Sequence, residues 1–416
     1  MSKPMTVQKQ SPLASALTAP GPDPAYRFAN RMARMPVSAI REILKVTEHP
    51  EIISFAGGMP APELFPVEAL AKAHAAVFAD EGAAAMQYST TEGYRPLREW
   101  IARRLRARGI SATADTTIIT SGSQQGIDLT AKVFINRGDA VVVENPSYLA
   151  AIQAFNGYEA SFIPIESDDD GMRVEQLEQA LKSANPKLIY IVSDFHNPKG
   201  TTLSRERRER LIELATRYRV PILEDDPYFE LRYMGEKPTP LAGMDRAGLV
   251  IYLSTFSKTI SPGMRIGWLA ASPEIIQMLV IAKQAADLHT STIEQRAASR
   301  LLESFDYDGH IARLCEVYRK RCLAMRNSIE NYFPEGVRWT RPEGGLFLWV
   351  ELPEEISGEE LFEDALKEKV AFVPGTSFFA NEPRLNFIRL NFSNQPPDKI
   401  EEGIRRIAKV LNRRLR

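Results

Sequence analysis

Short apolar runs recur along the first two thirds of the chain. TTIIT (116–120), AVVVE (140–144), ASFIPI (160–165), LIYIVS (188–193), VPILE (220–224) and LVIYLS (249–254) are rich in β-branched residues, the pattern of strands covered on both faces. Apolar positions three and four apart predict helices over 70–78 and 97–105, in the segment carrying Ile127, Ala131 and Phe134, and over 205–218. Ser204 stands where it can cap the last of these. Strands alternating with helices predict an α/β fold with a doubly wound, mostly parallel sheet.

The C-terminal third changes pattern. A long helix over 304–332 precedes FLWVEL (347–352), a helix over 361–366, FIRLNF (387–392) and a last amphipathic helix through Ile400, Ile404, Ile407 and Leu411. This is an α+β layout. At the other end, 1–35 shows no period and reads as an arm, and a short helix is expected over 37–46. The stretch ISFAGGMPAPELFP reads as extended, broken by Gly57, Gly58 and its prolines. The expected division is an arm (1–35), a large domain (67–303) and a smaller domain built from 36–66 and 304–416.

Charge narrows the possible partners. Lys and Arg number 52 against 53 Asp and Glu, a net charge of −1, which provides no broad basic face for nucleic acid. No apolar run approaches the ~20 residues of a membrane span, and the first residues lack the apolar core of a secretion signal. The two cysteines, Cys315 and Cys322, lie on one helical stripe with Ile311, Tyr318, Met325 and Ile329. Seven helical residues rise about 10.5 Å, too far for a disulfide, so both thiols are expected in the core of a cytoplasmic protein. Paired His and Cys spacings are missing, so no metal is expected.

Candidate chemistry sits where the apolar runs end, the edge at which open α/β sheets bind ligands. TTIIT is followed by SGSQQG, AVVVE by NPSY, LIYIVS by DFHNPKG, VPILE by DDPY, and LVIYLS by TFSK and TISPGMR. Ser121-Gly122-Ser123-Gln124 opens a helix and offers backbone N–H groups to an anion; simple capping by serine explains it equally well. Asp225 faces opposite to Glu224 and Asp226 if the strand continues; otherwise the three acids form a solvated loop. Lys258 is either a placed amine or a loop charge, and Thr255, Ser257 and Arg265 could complete a phosphate cup.

Taken in chain order, SGSQQGIDL, ENPSYLAAIQAF, HNPKG, EDDPYFEL, STFSKTISPGMRIGW, RPEGGLFLW and FIRLNF resemble the fold-type I pyridoxal-phosphate aminotransferases of class I/II. The look is nearest to the 2-aminoadipate/kynurenine aminotransferase group. The resemblance implies pyridoxal 5′-phosphate as cofactor and a ping-pong aldimine/ketimine transfer from an amino acid to a 2-oxoacid. Lys258 would carry the cofactor and shuttle the proton. Asp225 would pair with the ring nitrogen, Asn197 and Tyr228 with the ring oxygen, and Tyr148 would stack on the ring. Ser123, Gln124, Ser257 and Arg265 would hold the phosphate, with Thr255 as a further hydroxyl. Tyr88 would reach it from a second subunit, implying a homodimer. Arg389, with Asn197 and Gly58 nearby, would bind the substrate carboxylate by a planar fork.

Two departures stand out. Lys199 occupies the usual Thr position of the Asn-Pro-Thr-Gly string, where it reads as a solvated loop charge, and His196 precedes Asn197. Arg41 matches a position where relatives place an arginine for a side-chain carboxylate; it also fits the polar face of a helix. The expected donors are 2-aminoadipate, aromatic or branched amino acids, with 2-oxoglutarate as a plausible acceptor. A pyridoxal-phosphate lyase or decarboxylase would use nearly the same cofactor residues, but Arg389 favours transfer. An aminotransferase-like regulator needs a DNA-binding domain, for which 35 leading residues are too few.

Overall fold

The computed structural model describes residues 26–35, 43 and 49–415. The start of the expected arm, the helix expected over 37–46 except Ile43, and Arg41 lie outside the described residues.

Fourteen strands are described: β1 (Ile53–Ser54), β2 (Thr117–Thr120), β3 (Ala140–Asn145), β4 (Ser161–Asp168), β5 (Gly171–Met172), β6 (Leu188–Ile191), β7 (Ile222–Asp225), β8 (Val250–Thr255), β9 (Gly267–Ala270), β10 (Arg338–Trp339), β11 (Phe347–Glu351), β12 (Val370–Ala371), β13 (Val373–Pro374) and β14 (Phe387–Asn391). Eight form one sheet in the order β2-β9-β8-β7-β6-β3-β4-β5. The pairs linking β4, β3, β6, β7 and β8 are all parallel. β9 runs against both neighbours, β8 and β2. Every residue of β2, β6, β7, β8 and β9 is buried, as expected of strands covered by helices on both faces.

A second sheet has the order β10-β11-β14-β13 and is antiparallel throughout; β1 pairs with β12 in parallel beside it. The helix Tyr307–Tyr332 spans the two halves. Ile311, Leu314 and Tyr318 pack into the core of the large sheet, and Cys322, Met325 and Ile329 into that of the small one. The thiol stripe is therefore real in part: Cys322 is buried and Cys315 half-buried, and burial pushes both thiols up to about 11.

Some local expectations change. Ser204 stands at the N-cap of helix Arg205–Tyr218 but its hydroxyl makes no cap hydrogen bond. The ISFAGGMPAPELFP stretch holds β1 and a 3₁₀ turn, Pro62–Leu64. Glu224, Asp225 and Asp226 are all at most 2 % exposed, which removes the solvated-loop reading.

Candidate active site

The site lies where β2, β6, β7 and β8 end. Asp225 closes β7. The register sets Tyr190 opposite Leu223, so Tyr190 shares a face with Asp225, and its hydroxyl donates to Asp225 Oδ2 at 2.8 Å. Asp225 Oδ1 is buried and finds no hydrogen-bond partner among the described residues. Burial, reinforced by neighbouring Asp226 and opposed by the Tyr190 hydroxyl, pushes this carboxyl up to about 7. Its flanking acids are spent on structure. Glu224 accepts from Ser193 Oγ and the Leu241 and Ala242 amides, while Asp226 pairs with Arg108.

An anion cup forms between β2 and the turn leading to β9. Gly122, at φ +81°, is the N-cap of helix Ser123–Phe134, and no side chain caps that end. The serine-capping alternative therefore fails, and the first-turn N–H groups keep their capacity for an anion. A Cβ at Gly122 would stand 2.3 Å from Arg265 Nη2, so only glycine leaves room for this guanidinium. Gly267 is as constrained: its Cβ would meet Ser123 N at 2.7 Å. Ser257 is buried beside the cup. The Thr255 hydroxyl donates to Ile266 O at 2.7 Å, accepts from Ser257 N at 3.1 Å and lies 2.9 Å from Ser257 Oγ, so it orients Ser257 beside the cup.

Lys258 follows β8, and its Nζ donates to Gly58 O at 2.7 Å. Burial and the cations Arg389 and Arg265 push its ammonium down to about 8, so a usable fraction is free amine near neutral pH. Across the cleft, Arg389 on β14 is 1 % exposed. It donates to Asn197 Oδ1 at 2.8 Å and Ala56 O at 2.6 Å, and lies over the Phe347 and Phe378 rings. Its Nε has no partner among the described residues, and burial lowers the guanidinium to about 10. Tyr228 is buried, its phenol pushed upward by burial and held by Asn197. Tyr148 is half-buried at the N-cap of helix Leu149–Gly157.

Three side chains are exposed or engaged elsewhere. Gln124 is exposed, its amide donating to Ala150 O. Tyr88 is 78 % exposed, its ring edge-on to His289. Lys199 is no solvated charge: it is 7 % exposed and its Nζ donates to Ser167 O at 2.8 Å and Asp168 O at 2.9 Å. Tyr190 went unforeseen because it sits inside an apolar run, and its shared face with Asp225 follows only from the strand register.

Pyridoxal 5′-phosphate suits these residues. A free buried carboxylate oxygen, an uncapped helix start beside Arg265, and an amine of lowered basicity match a protonated ring nitrogen, a phosphate and an aldehyde. Comparison with known proteins agrees. Residues 51–407 match the profile described as aminotransferase class I and II. The chain is 45 % identical to aromatic-amino-acid aminotransferase 1 of Thermococcus litoralis, over 97 % of this chain and 98 % of that one. It is 42 % identical to the 2-aminoadipate transaminase of Thermus thermophilus, over 92 % and 96 %. A solved kynurenine aminotransferase of Pyrococcus horikoshii, in complex with PMP, superposes with a TM-score of 0.90 at 44 % identity, covering 94 % of this chain and 98 % of that one. The chain belongs to the class I and II aminotransferases. It is a pyridoxal-phosphate-dependent transaminase.

Proposed function

We propose that this enzyme accepts acidic, aromatic and branched amino acids, 2-aminoadipate among them, and passes the amino group to a 2-oxoacid such as 2-oxoglutarate, as a cytoplasmic homodimer. The names of its relatives span aromatic amino acids, 2-aminoadipate and kynurenine, which supports a broad donor range. The two cysteines are unpaired, which suits a reducing compartment, and among the described residues no helix is long and apolar enough to cross a membrane. Phe78, Met86, Tyr88, Met278 and Ile281 are large apolar side chains left exposed, which supports burial of such residues against a second subunit. The large domain 67–303 and the small domain 36–66 with 304–416 are proposed to carry the cofactor and substrate-carboxylate sides respectively.

Bound pyridoxal 5′-phosphate supplies an aldehyde and an electron-withdrawing ring. Asp225 Oδ1 would hold a proton at the ring nitrogen, and Asn197 and Tyr228 would bond the ring oxygen. Tyr148 would lie against the ring face. Ser123, Gln124, Ser257 and Arg265 would bind the phosphate, joined by the partner's Tyr88. Arg389 would fix the substrate carboxylate, which orients the Cα proton toward Lys258 Nζ; the lowered basicity of that amine suits it to take the proton and return it.

The observation that carries these roles is the orphaned Asp225 oxygen on the strand next to the one that delivers Lys258. Borohydride reduction of the protein with its cofactor, followed by peptide mapping, is expected to find the pyridoxyl adduct on Lys258; an adduct on another lysine would overturn the assignment. Arg389→Lys is expected to lower kcat/KM about 10- to 100-fold, since it exchanges a planar charged fork for a point charge. The cofactor's absorption should remain. The proposed acidic site at Arg41 predicts that Arg41→Ala weakens 2-aminoadipate far more than leucine; equal losses would remove it.

A further inference from the structure

Behind β7 and β8, on the opposite side of the chain from Asp225, lies a small, partly open cavity of about 30 Å³ bordered by Arg108, Asp226, Ser254, Phe256, Thr259 and Trp268 among others. We propose that it is a binding site for one water molecule, which locks the Arg108–Asp226 ion pair, and that the locked pair positions Asp225 and Lys258 from behind.

Half of the Arg108–Asp226 pair is complete. Arg108 Nη2 lies 2.8 Å from Asp226 Oδ2, and the Tyr252 hydroxyl donates to that same oxygen at 3.0 Å. The other half is open. Asp226 Oδ1, Arg108 Nε, Trp268 Nε1 and Thr259 Oγ1 are all buried, and none has a hydrogen-bond partner among the described residues. All four residues border the same cavity. Asp226 is 1 % exposed and Trp268 8 %. An unmet polar atom in such surroundings is costly, and four of them meet at this one cavity.

The donor inventory selects the occupant. Two N–H groups need acceptors, one carboxylate oxygen needs a donor, and the Thr259 hydroxyl can take either part. Water answers all four: it accepts from Arg108 and Trp268 and donates to Asp226 and Thr259. A cation would oppose the two N–H groups, and an anion would oppose the carboxylate. A cavity of about 30 Å³ admits one water, and little else.

The site is tied to the catalytic segments by hydrogen bonds. Ser254 Oγ donates to Asp226 O at 2.7 Å, and Asp226 N donates to Leu253 O at 2.8 Å. Both bonds join the end of β7 to β8. Trp268 packs on Phe256, ring centroids 4.8 Å apart, and Phe256 opens the turn that ends in Lys258. Asp225 is the preceding residue on β7, with its side chain directed to the other face. Fixing Asp226 and Trp268 therefore fixes the spacing between carboxylate and amine. This positioning role rests on the reading of Asp225 and Lys258 given above; the water does not.

The test uses the holoenzyme. High-resolution crystals are expected to show one density peak within hydrogen-bonding reach of Asp226 Oδ1 and Trp268 Nε1, and a dry cavity would overturn the site. Trp268→Phe keeps an aromatic ring against Phe256 and deletes one donor; Asp226→Asn keeps the shape and deletes the charge. Both are expected to retain the pyridoxyl adduct at Lys258 and to lose about tenfold in kcat at unchanged KM, the signature of misplaced reacting groups. Asp226→Asn also leaves the Arg108 charge uncompensated, which disfavours protons nearby. The pH midpoint of the bound cofactor's absorption band should then fall in this variant and stay fixed in Trp268→Phe. Parental kcat in both, or an unmoved midpoint in Asp226→Asn, would overturn the positioning role. An unaltered protein that fails to label Lys258 would overturn the site reading and the positioning with it, leaving the water to be judged by the density.

Discussion

Asp225 carries an energetic liability as well as a role. Its carboxyl rises from 3.8 to about 7 because burial disfavours the charge. The folded, cofactor-free protein therefore keeps a proton that the unfolded chain releases. The stability from this group is fully present below the unfolded value and is lost as pH climbs through the folded one, a window of roughly pH 4 to 7. Asp225→Asn should remove that slope. Without cofactor, the variant is expected to be more stable than the parent at pH 8, by at most about 4 kcal/mol, with the difference vanishing toward pH 4. Urea unfolding across this range measures it, and parallel pH curves would refute it. At this scale the sequence was informative wherever a polar residue ended an apolar run. Asp225, Asn197 and Lys258 were singled out that way and Arg389 through the family resemblance, and the structure gathers them in one cleft. Tyr190 was hidden because nothing distinguishes a phenol facing an acid from one facing leucines until strand pairing is known. The task of Thr255 was likewise invisible, since it depends on Ile266 O, eleven residues later.

Among the elements, the loop 194–200 shows how a surface-looking string becomes a fastening. Lys199 buries an amine, lowered in basicity by desolvation, in order to hold the last carbonyls of β4. Its own carbonyl accepts from Thr340 Oγ1 at 2.6 Å. Lys199→Thr removes the amine and leaves those β4 carbonyls without their donor. We expect a loss of about 1 kcal/mol, the net after the desolvation cost of the amine is recovered. The urea midpoint should fall while kcat stays within about twofold of the parent, because the amine is spent on Ser167 and Asp168. A large kcat effect would place it in the site. Strands with five or six apolar residues were readable. β9 was not: its four residues, GWLA, follow a turn of Ser, Pro and Gly and lack the length to stand out. Its reversed direction could be known only from pairing.

At the scale of the molecule, two cores meet along one helix. Tyr307–Tyr332 gives its first turns to the large sheet and its last to the small one, so its stiffness links the amine side of the cleft to the Arg389 side. The change from alternating strands and helices to an α+β layout was plain in the sequence; the helix shared by both was not, because a periodic stripe does not name its partners. The outward surface yields a further prediction. Phe78 on helix Val67–Ala85 and Met86 just beyond it are 51 % and 69 % exposed. Sedimentation is expected to give a dimer for the parent protein. Phe78→Asp with Met86→Asp should give a monomer that binds the cofactor at least about tenfold more weakly, since removing one charge-assisted hydrogen bond costs about 1.5–3 kcal/mol and the partner's Tyr88 would be lost. A parent that sediments as a monomer would refute the assembly.

Between Thr255 and Gly267 the chain leaves β8 and comes back as its reversed neighbour. Lys258 and Arg265 both hang from that single lasso. An insertion or deletion anywhere along it would drag the two out of place together. Descendants of this sequence can exchange side chains there, but they cannot change its length.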